Sequence, residues 1–159
     1  MKWPHLNLPS YPLKIRDSLS QRPEVWDPLR KKYVTLTPEE YVRQRFILWL
    51  THDKHYPAAL MANEMSLSVN GLTRRADTMI ANREGKPFMV IEYKAPHVVI
   101  TQEVFDQAAR YNMVLGAPYI VVTNGLQHYC CHIEFEGRTY HFVPRIPDWA
   151  EAMLGPIDN

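Results

Sequence analysis

Cysteine is scarce: two residues, adjacent at positions 130 and 131, in a chain of 159. Neighbouring Cα atoms lie about 3.8 Å apart, less than an ordinary disulfide spans, which excludes a structural bridge between them. Reduced thiols in turn fit a cytoplasmic setting. An excess of either charge is also missing, since 18 Lys and Arg offset 17 Asp and Glu to leave a net charge of +1. Sequence-independent affinity for duplex comes mainly from cations neutralising phosphates, so this balance excludes a protein that holds nucleic acid by its field alone. Such binding has to be local or assisted by a partner. With six glycines, the chain has no Gly-rich phosphate-binding loop of the kind ATP-driven motors use. No stretch approaches the roughly 18 apolar residues that span a bilayer. The opening MKWPHLNLPSYPL, broken by three prolines, does not read as a signal peptide. No membrane partner is expected.

What is present is a globular composition, 46% hydrophobic and 22% charged, of a length that suits one domain over residues 1–159. Prolines crowd both ends, which predicts extended arms lying on a regular core at about residues 32–143. Thr37 as N-cap, Pro38 in the first turn and Glu40 as the returning member of a capping box predict a helix over 38–51. Three strand-like stretches follow at 60–69, 74–81 and 87–94, separated by NG and NREGK turn chemistry, and read as an antiparallel meander. TQEVFDQAARYNMVLG carries apolar residues at 104, 108, 111 and 115 and stops at Gly116, an amphipathic helix. PYIVVT reads as a strand buried on both faces, and two strands at about 126–135 and 138–143 as a closing hairpin. The expected fold is α/β: an αβββαβ core with a mixed central sheet flanked by helices, then the hairpin.

Within this frame MVIEYKAP stands out, because a strand otherwise fit for burial carries Glu92 and Lys94 two positions apart, on one face, with Tyr93 pointing the other way. They form either a structural ion pair or part of a site. If the preceding turn closes symmetrically between Glu84 and Gly85, Asp77 faces Glu92 across the strand pair. Directly opposed like charges destabilise a strand pair, more so when water is excluded, so something has to compensate. A hard divalent cation such as Mg²⁺ would do so, taking one or two carboxylates and accepting phosphate oxygens. Lys94 would then place positive charge where a phosphoryl transition state gathers negative charge.

An Asp, a hairpin, then Glu-x-Lys leading into a helix and another strand resembles the PD-(D/E)xK nuclease superfamily. Within it, the stretches LNLPSYPLKI, RKKYVTLTPEEYVRQ, EYKAP, FDQAARYN and PYIVVTNGLQHYCC resemble the N-terminal domain of type I restriction enzyme R subunits, in the form of small bacterial proteins carrying that domain alone. The resemblance implies a Mg²⁺-dependent DNA endonuclease, with Mn²⁺ able to substitute. It assigns Asp77 and Glu92 as metal ligands, Lys94 as the catalytic lysine, Gln107 and Tyr111 as a supporting QxxxY pair, and Glu40 as a further acidic residue. The sequence departs from the pattern at Ala76, where the superfamily's name has Pro, and at Tyr93, where Cys is expected in near relatives. Neither position supplies a reacting side chain.

Blander readings stand beside these. Glu84-Gly85-Lys86 also matches Glu-x-Lys and sits in a turn, so the triplet alone carries little. Tyr111 lies on the apolar stripe of its helix and has a packing explanation, as Glu40 has a capping one. His128, Cys130 and His132 share a strand face, yet the outer two are about 13 Å apart, too far to hold one ion along a single strand. Arg74 and Arg75, and Arg30, Lys31 and Lys32, are candidate phosphate contacts against a default of exposed charge. The expected partner is DNA, with a homo-oligomer or larger restriction or defence complex as the source of any missing charge. The alternative function is a nuclease-fold DNA-binding subunit of such a complex, without catalysis of its own.

Overall fold

A computed structural model describes residues 3–69, 71–113, 115–134 and 139–154, and leaves undescribed the side chains of Leu67, Val69, Leu72, Arg74, Tyr111 and Met113. Its centre is a six-stranded sheet in the order β4-β5-β6-β7-β8-β9, formed by β4 (Met61–Val69), β5 (Leu72–Ala81), β6 (Pro87–Tyr93), β7 (Tyr119–Thr123), β8 (His128–Glu134) and β9 (Thr139–Phe142). β6 and β7 are parallel and every other neighbouring pair is antiparallel. The parallel step needs a crossover, and α2 (Gln102–Met113) supplies it.

Helices cover both faces. α1 (Pro38–His52) begins as its sequence predicts: the Thr37 hydroxyl accepts the Glu40 N–H at 3.1 Å and Pro38 occupies the first turn. The capping box is only half made, because the Glu40 carboxylate turns instead to Arg30 and to Gln44. α1 lays Phe46 and Leu50 against Ile91, Tyr93, Tyr119 and Val121, while α2 lays Phe105, Ala108 and Ala109 against Ile120, Val122, Cys131 and Ile133. Alternate residues of β7 thus serve opposite cores, and all five are buried, as a continuous apolar run in a central strand requires.

The proline-rich ends hold more structure than extended arms. β1 (Ile15–Arg16), β2 (Glu24–Asp27) and β3 (Lys32–Thr35) form a small antiparallel sheet of their own, and α3 (Trp149–Leu154) docks Trp149 on Phe88 and Tyr56. Strands of two to four residues flanked by prolines carry too little alternation to be read from sequence. The small sheet is tied to the large one by the buried Asp27, whose carboxylate accepts from Arg30 and, at 2.9 Å, from Asn63 of β4. Asn63 in turn accepts the Thr78 hydroxyl of β5 at 2.6 Å.

The N-terminal segment crosses the sheet end at Gly125, whose carbonyl accepts the Asn7 N–H at 2.8 Å. Gly125 has φ +86°, and a Cβ there would lie 2.8 Å from Leu6 Cδ2 and 3.3 Å from Val42 Cγ2. Gly125→Ala therefore meets both backbone strain and a clash with the buried Leu6. It is expected to cost about 1–2 kcal/mol, seen as a fall in Tm of about 2–8 °C in thermal unfolding.

Candidate active site

The β5–β6 hairpin sets the site. Its ladder pairs Thr78 with Ile91, Met79 with Val90 and Ile80 with Met89, and this register continued by one residue brings Asp77 to Glu92. The turn itself is centred on Glu84 rather than between Glu84 and Gly85: Ala81 pairs with Pro87, and an irregularity beside Ile80 takes up the extra residue. Beyond Thr78 a side chain replaces the ladder, since Asp77 Oδ2 accepts the Tyr93 N–H at 3.0 Å. That bond fixes the Asp77 carboxylate where β6 ends.

Asp77, Glu92 and Lys94 line one wall of a cavity of about 310 Å³ whose other wall is α2, with Val104, Gln107 and Ala108. Tyr93 points to the opposite face, buried against Phe46 of α1. Lys94 Nζ lies 3.3 Å from Glu92 Oε1, with each side chain 33% exposed. Its backbone N–H is held by the Thr123 carbonyl at 2.8 Å, so the lysine leaves the sheet at a fixed point.

Burial raises the pKa of Asp77 above the ordinary carboxylate value, the Tyr93 N–H and the Arg43 guanidinium work against that rise, and the carboxylates of Glu92 and Glu64 add to it. The net rise marks a carboxylate whose lost hydration its present partners do not make up. Glu64, opposite Asp77 on β4, is already taken up by arginines: it has φ +57° and its two oxygens meet Arg43 Nη2 and Arg75 Nε, both at 2.5 Å. Two carboxylates facing an open cavity, with no imidazole or thiolate among them, suit a hard ion such as Mg²⁺ better than a soft one.

The remaining sequence candidates scatter. Gln107 is exposed on the cavity wall. Tyr111 lies on α2, but its side chain is outside the described residues, as is that of Arg74. Glu40 is buried on the α1 face in a network with Arg30, Arg43 and Gln44, away from the cavity lining. Arg75 lines the cavity and is paired to Glu64. Lys31 and Lys32 are exposed at the turn and start of β3, and Arg30 is taken up by Asp27 and Glu40 rather than presented to a phosphate. His128 and His132 have separate surroundings, the first against Phe46 and Trp49 and the second against Tyr119 and His141. Cys130 and Cys131 are free and buried, and burial pushes the Cys131 thiol up to about 12.

Sequence reading missed Arg43. Buried in the middle of α1, it donates from Nη1 to the Asp77 carbonyl at 2.5 Å and from Nη2 to Glu64, while Nε lies 3.1 Å from Glu40. The available signal was a charged pair, Arg43 and Arg45, interrupting an otherwise core-facing helix.

Residues 38–147 match the family model of the type I restriction enzyme R protein N terminus, a span of well over half the chain that holds the whole cavity. The chain belongs to that family. This R-protein N-terminal domain also resembles, among solved structures, a fragment assigned to an HsdR subunit of a type I restriction enzyme from Vibrio vulnificus. The TM-score is 0.54 at 20% identity, over 75% of this chain and 25% of that one. At that identity the likeness establishes the mixed α/β fold, and the domain spans about a quarter of the length of the Vibrio chain. No curated protein matches the domain. Among its described residues no helix is long and apolar enough to cross a membrane.

Proposed function

We propose that this domain is a Mg²⁺-dependent DNA endonuclease of restriction-endonuclease-like architecture, with its PD-(D/E)xK site at Asp77, Glu92 and Lys94. The observation that carries the reading is the convergence of two carboxylates and a lysine on one cavity wall, with Asp77 made costly to ionise by burial and by Glu92. A protein has little reason to keep that arrangement for stability alone, since opposed carboxylates weaken a strand pair. Family membership supplies the restriction setting, and a larger R-protein assembly is the natural partner for a domain with net charge +1. Two buried, reduced thiols fit a cytoplasmic location.

Asp77 and Glu92 would hold the ion, with the Tyr93 carbonyl as a further oxygen. Bound there, Mg²⁺ (or Mn²⁺) would neutralise the carboxylates, withdraw charge from the phosphate and lower the pKa of the attacking water. The chain's own residues do the rest. The Tyr93 N–H holds Asp77 in place, and Arg43 holds the β5 backbone from behind. Lys94, which lines the cavity beside Glu92, would meet the charge on the phosphate oxygens and orient the water. Gln107, exposed on the α2 wall of the cavity, would contact the DNA backbone, and the QxxxY pattern assigns the same task to Tyr111 one helical turn on. In-line displacement would form a P–O bond to the attacking water oxygen as the bond to one sugar oxygen breaks, the water losing a proton and the leaving oxygen gaining one, and leave the phosphate on one side of the cut.

A second reading keeps the fold and drops the chemistry: a DNA-binding subunit in which Glu92 and Lys94 form a plain ion pair. The direct 3.3 Å contact favours it. Plasmid nicking separates the two. The nuclease reading predicts that supercoiled DNA is nicked in Mg²⁺ or Mn²⁺ and spared in EDTA; retardation of DNA on a gel without cleavage in either ion supports the binding subunit instead.

A further inference from the structure

On the opposite face of the sheet, β8 and β9 pair His132 with His141 and Glu134 with Thr139. Directly opposed residues of an antiparallel pair share a face, as do residues two apart on one strand, so His132, Glu134 and His141 project together. Glu134 Oε1 lies 3.3 Å from His132 Nδ1 and 4.0 Å from His141 Nδ1, and one ligand atom from each of the three residues lies within 4.8 Å of the others. A tetrahedral ion with bonds of about 2.0–2.2 Å holds its ligand atoms roughly 3.3–3.6 Å apart, so the three need to close by less than a bond length.

His132 is already held for the task. Its ring stands edge-on to Tyr119 at 5.1 Å between centroids, and its Nδ1 is buried with no hydrogen-bond partner among the described residues even though Glu134 is near. An unsatisfied buried ring nitrogen is costly unless something occupies it. Glu134 and His141 are about half exposed, leaving an approach from solvent and a fourth position for water. Metal binding along the single strand fails because His128 and His132 are too far apart; across the hairpin the same His132 finds both partners within reach.

We propose that His132, Glu134 and His141 form a binding site for a transition-metal ion, Zn²⁺ by preference. Two imidazole nitrogens and one carboxylate oxygen suit Zn²⁺, whereas Mg²⁺ takes oxygen ligands. The site is separate from the carboxylate cavity: Tyr119, beside His132, belongs to the α1-side core with Tyr93, while Glu92 opens toward α2. Because β9 is the edge strand, the ion would clasp the last hairpin onto the sheet. It does not depend on the nuclease reading.

The test is calorimetric titration of Zn²⁺ into the chelator-stripped chain with excess Mg²⁺ present, comparing wild type with His141→Gln and, as a control, His97→Gln, an exposed histidine outside the cluster. Wild type and His97→Gln should bind one ion per chain and gain hydrogen-exchange protection at the β8–β9 amides. Losing a direct ligand should cost His141→Gln at least about 100-fold in affinity, the upper range for partners that only orient a ligand. Circular dichroism establishes that each variant is folded, and the exposed Glu134→Gln repeats the comparison should His141→Gln not fold. Absence of saturable binding by wild type, or equal affinity in the cluster variants, would overturn the site.

Discussion

Lys94→Ala is expected to lower Mg²⁺-dependent DNA cleavage by roughly 10²–10³-fold, the usual loss when one preorganised group facing transition-state charge is removed. Stability should move little. The Lys94–Glu92 pair is one-third exposed on both sides, and partly solvated pairs contribute about 0–1 kcal/mol. The variant should therefore keep its Tm within a few degrees, keep or raise its divalent-ion affinity because Lys94 no longer competes for Glu92, and bind DNA about as well as wild type. That combination separates a catalytic lysine from a structural one. A lysine present only to neutralise Glu92 would, on removal, leave any cleavage rate untouched.

Asp77→Asn should do two opposite things. A carboxyl whose folded pKa lies above its unfolded value binds more protons in the native state, so its stability contribution is fullest at low pH and is lost as pH rises from the unfolded value through the folded one. At neutral pH the ionised Asp77 is thus a net cost. Asparagine removes the charge and still offers an oxygen to the Tyr93 N–H. Without divalent ions the variant should be more stable by about 1 kcal/mol, the upper end for opposed like charges on a strand pair. In a chain of this size that raises Tm by about 2–4 °C. With Mg²⁺ or Mn²⁺ present the order should invert, because wild type gains stability from the ion and the variant does not. Cleavage should fall to background. Thermal melts of both proteins in EDTA and in 10 to 20 times the wild-type dissociation constant of Mn²⁺ check the sign of each effect; a variant less stable than wild type in EDTA would show that Asp77 is an ordinary structural acid.

Much of the fold was legible because its central elements carry strong local signals. Thr37-Pro38 marks the start of α1, the apolar run at 119–123 is of the sort found in a strand buried on both faces, and the NG and NREGK stretches separate the strands of the meander. The Asp77–Glu92 register was also legible, though for a reason the symmetric turn does not supply: the irregularity beside Ile80 offsets a turn centred one half-step earlier. Turn chemistry fixes where a hairpin closes, and bulges then adjust it according to packing, which no local pattern records.

What stayed hidden depends on tertiary neighbours. Glu40 has a sufficient local explanation in capping, yet its carboxylate is drawn off by Arg30 and Arg43, charges that reach it from another strand turn and the next helical turn. Arg43 looked like one more helix charge, but its guanidinium meets the Asp77 carbonyl and Glu64 because β4 and β5 pass beneath α1. Glu64 gives no warning of its left-handed backbone, since nothing in MANEMSLSV separates it from its strand neighbours. The histidine cluster became visible only once the β8–β9 register placed His141 against His132. Single-strand spacing, which is all a sequence displays, argued against a metal there.

The central claim is that Asp77 and Glu92 jointly hold a divalent ion beside Lys94. Its most direct test is a crystal structure of the wild-type chain grown with Mn²⁺, with data collected for anomalous scattering. The account predicts an anomalous peak in the cavity between β6 and α2, about 2.0–2.3 Å from an oxygen of each carboxylate, with Lys94 turned away from Glu92 toward the open side. A cavity without a peak at saturating Mn²⁺, or Asp77 and Glu92 found on opposite faces of the sheet, would contradict it.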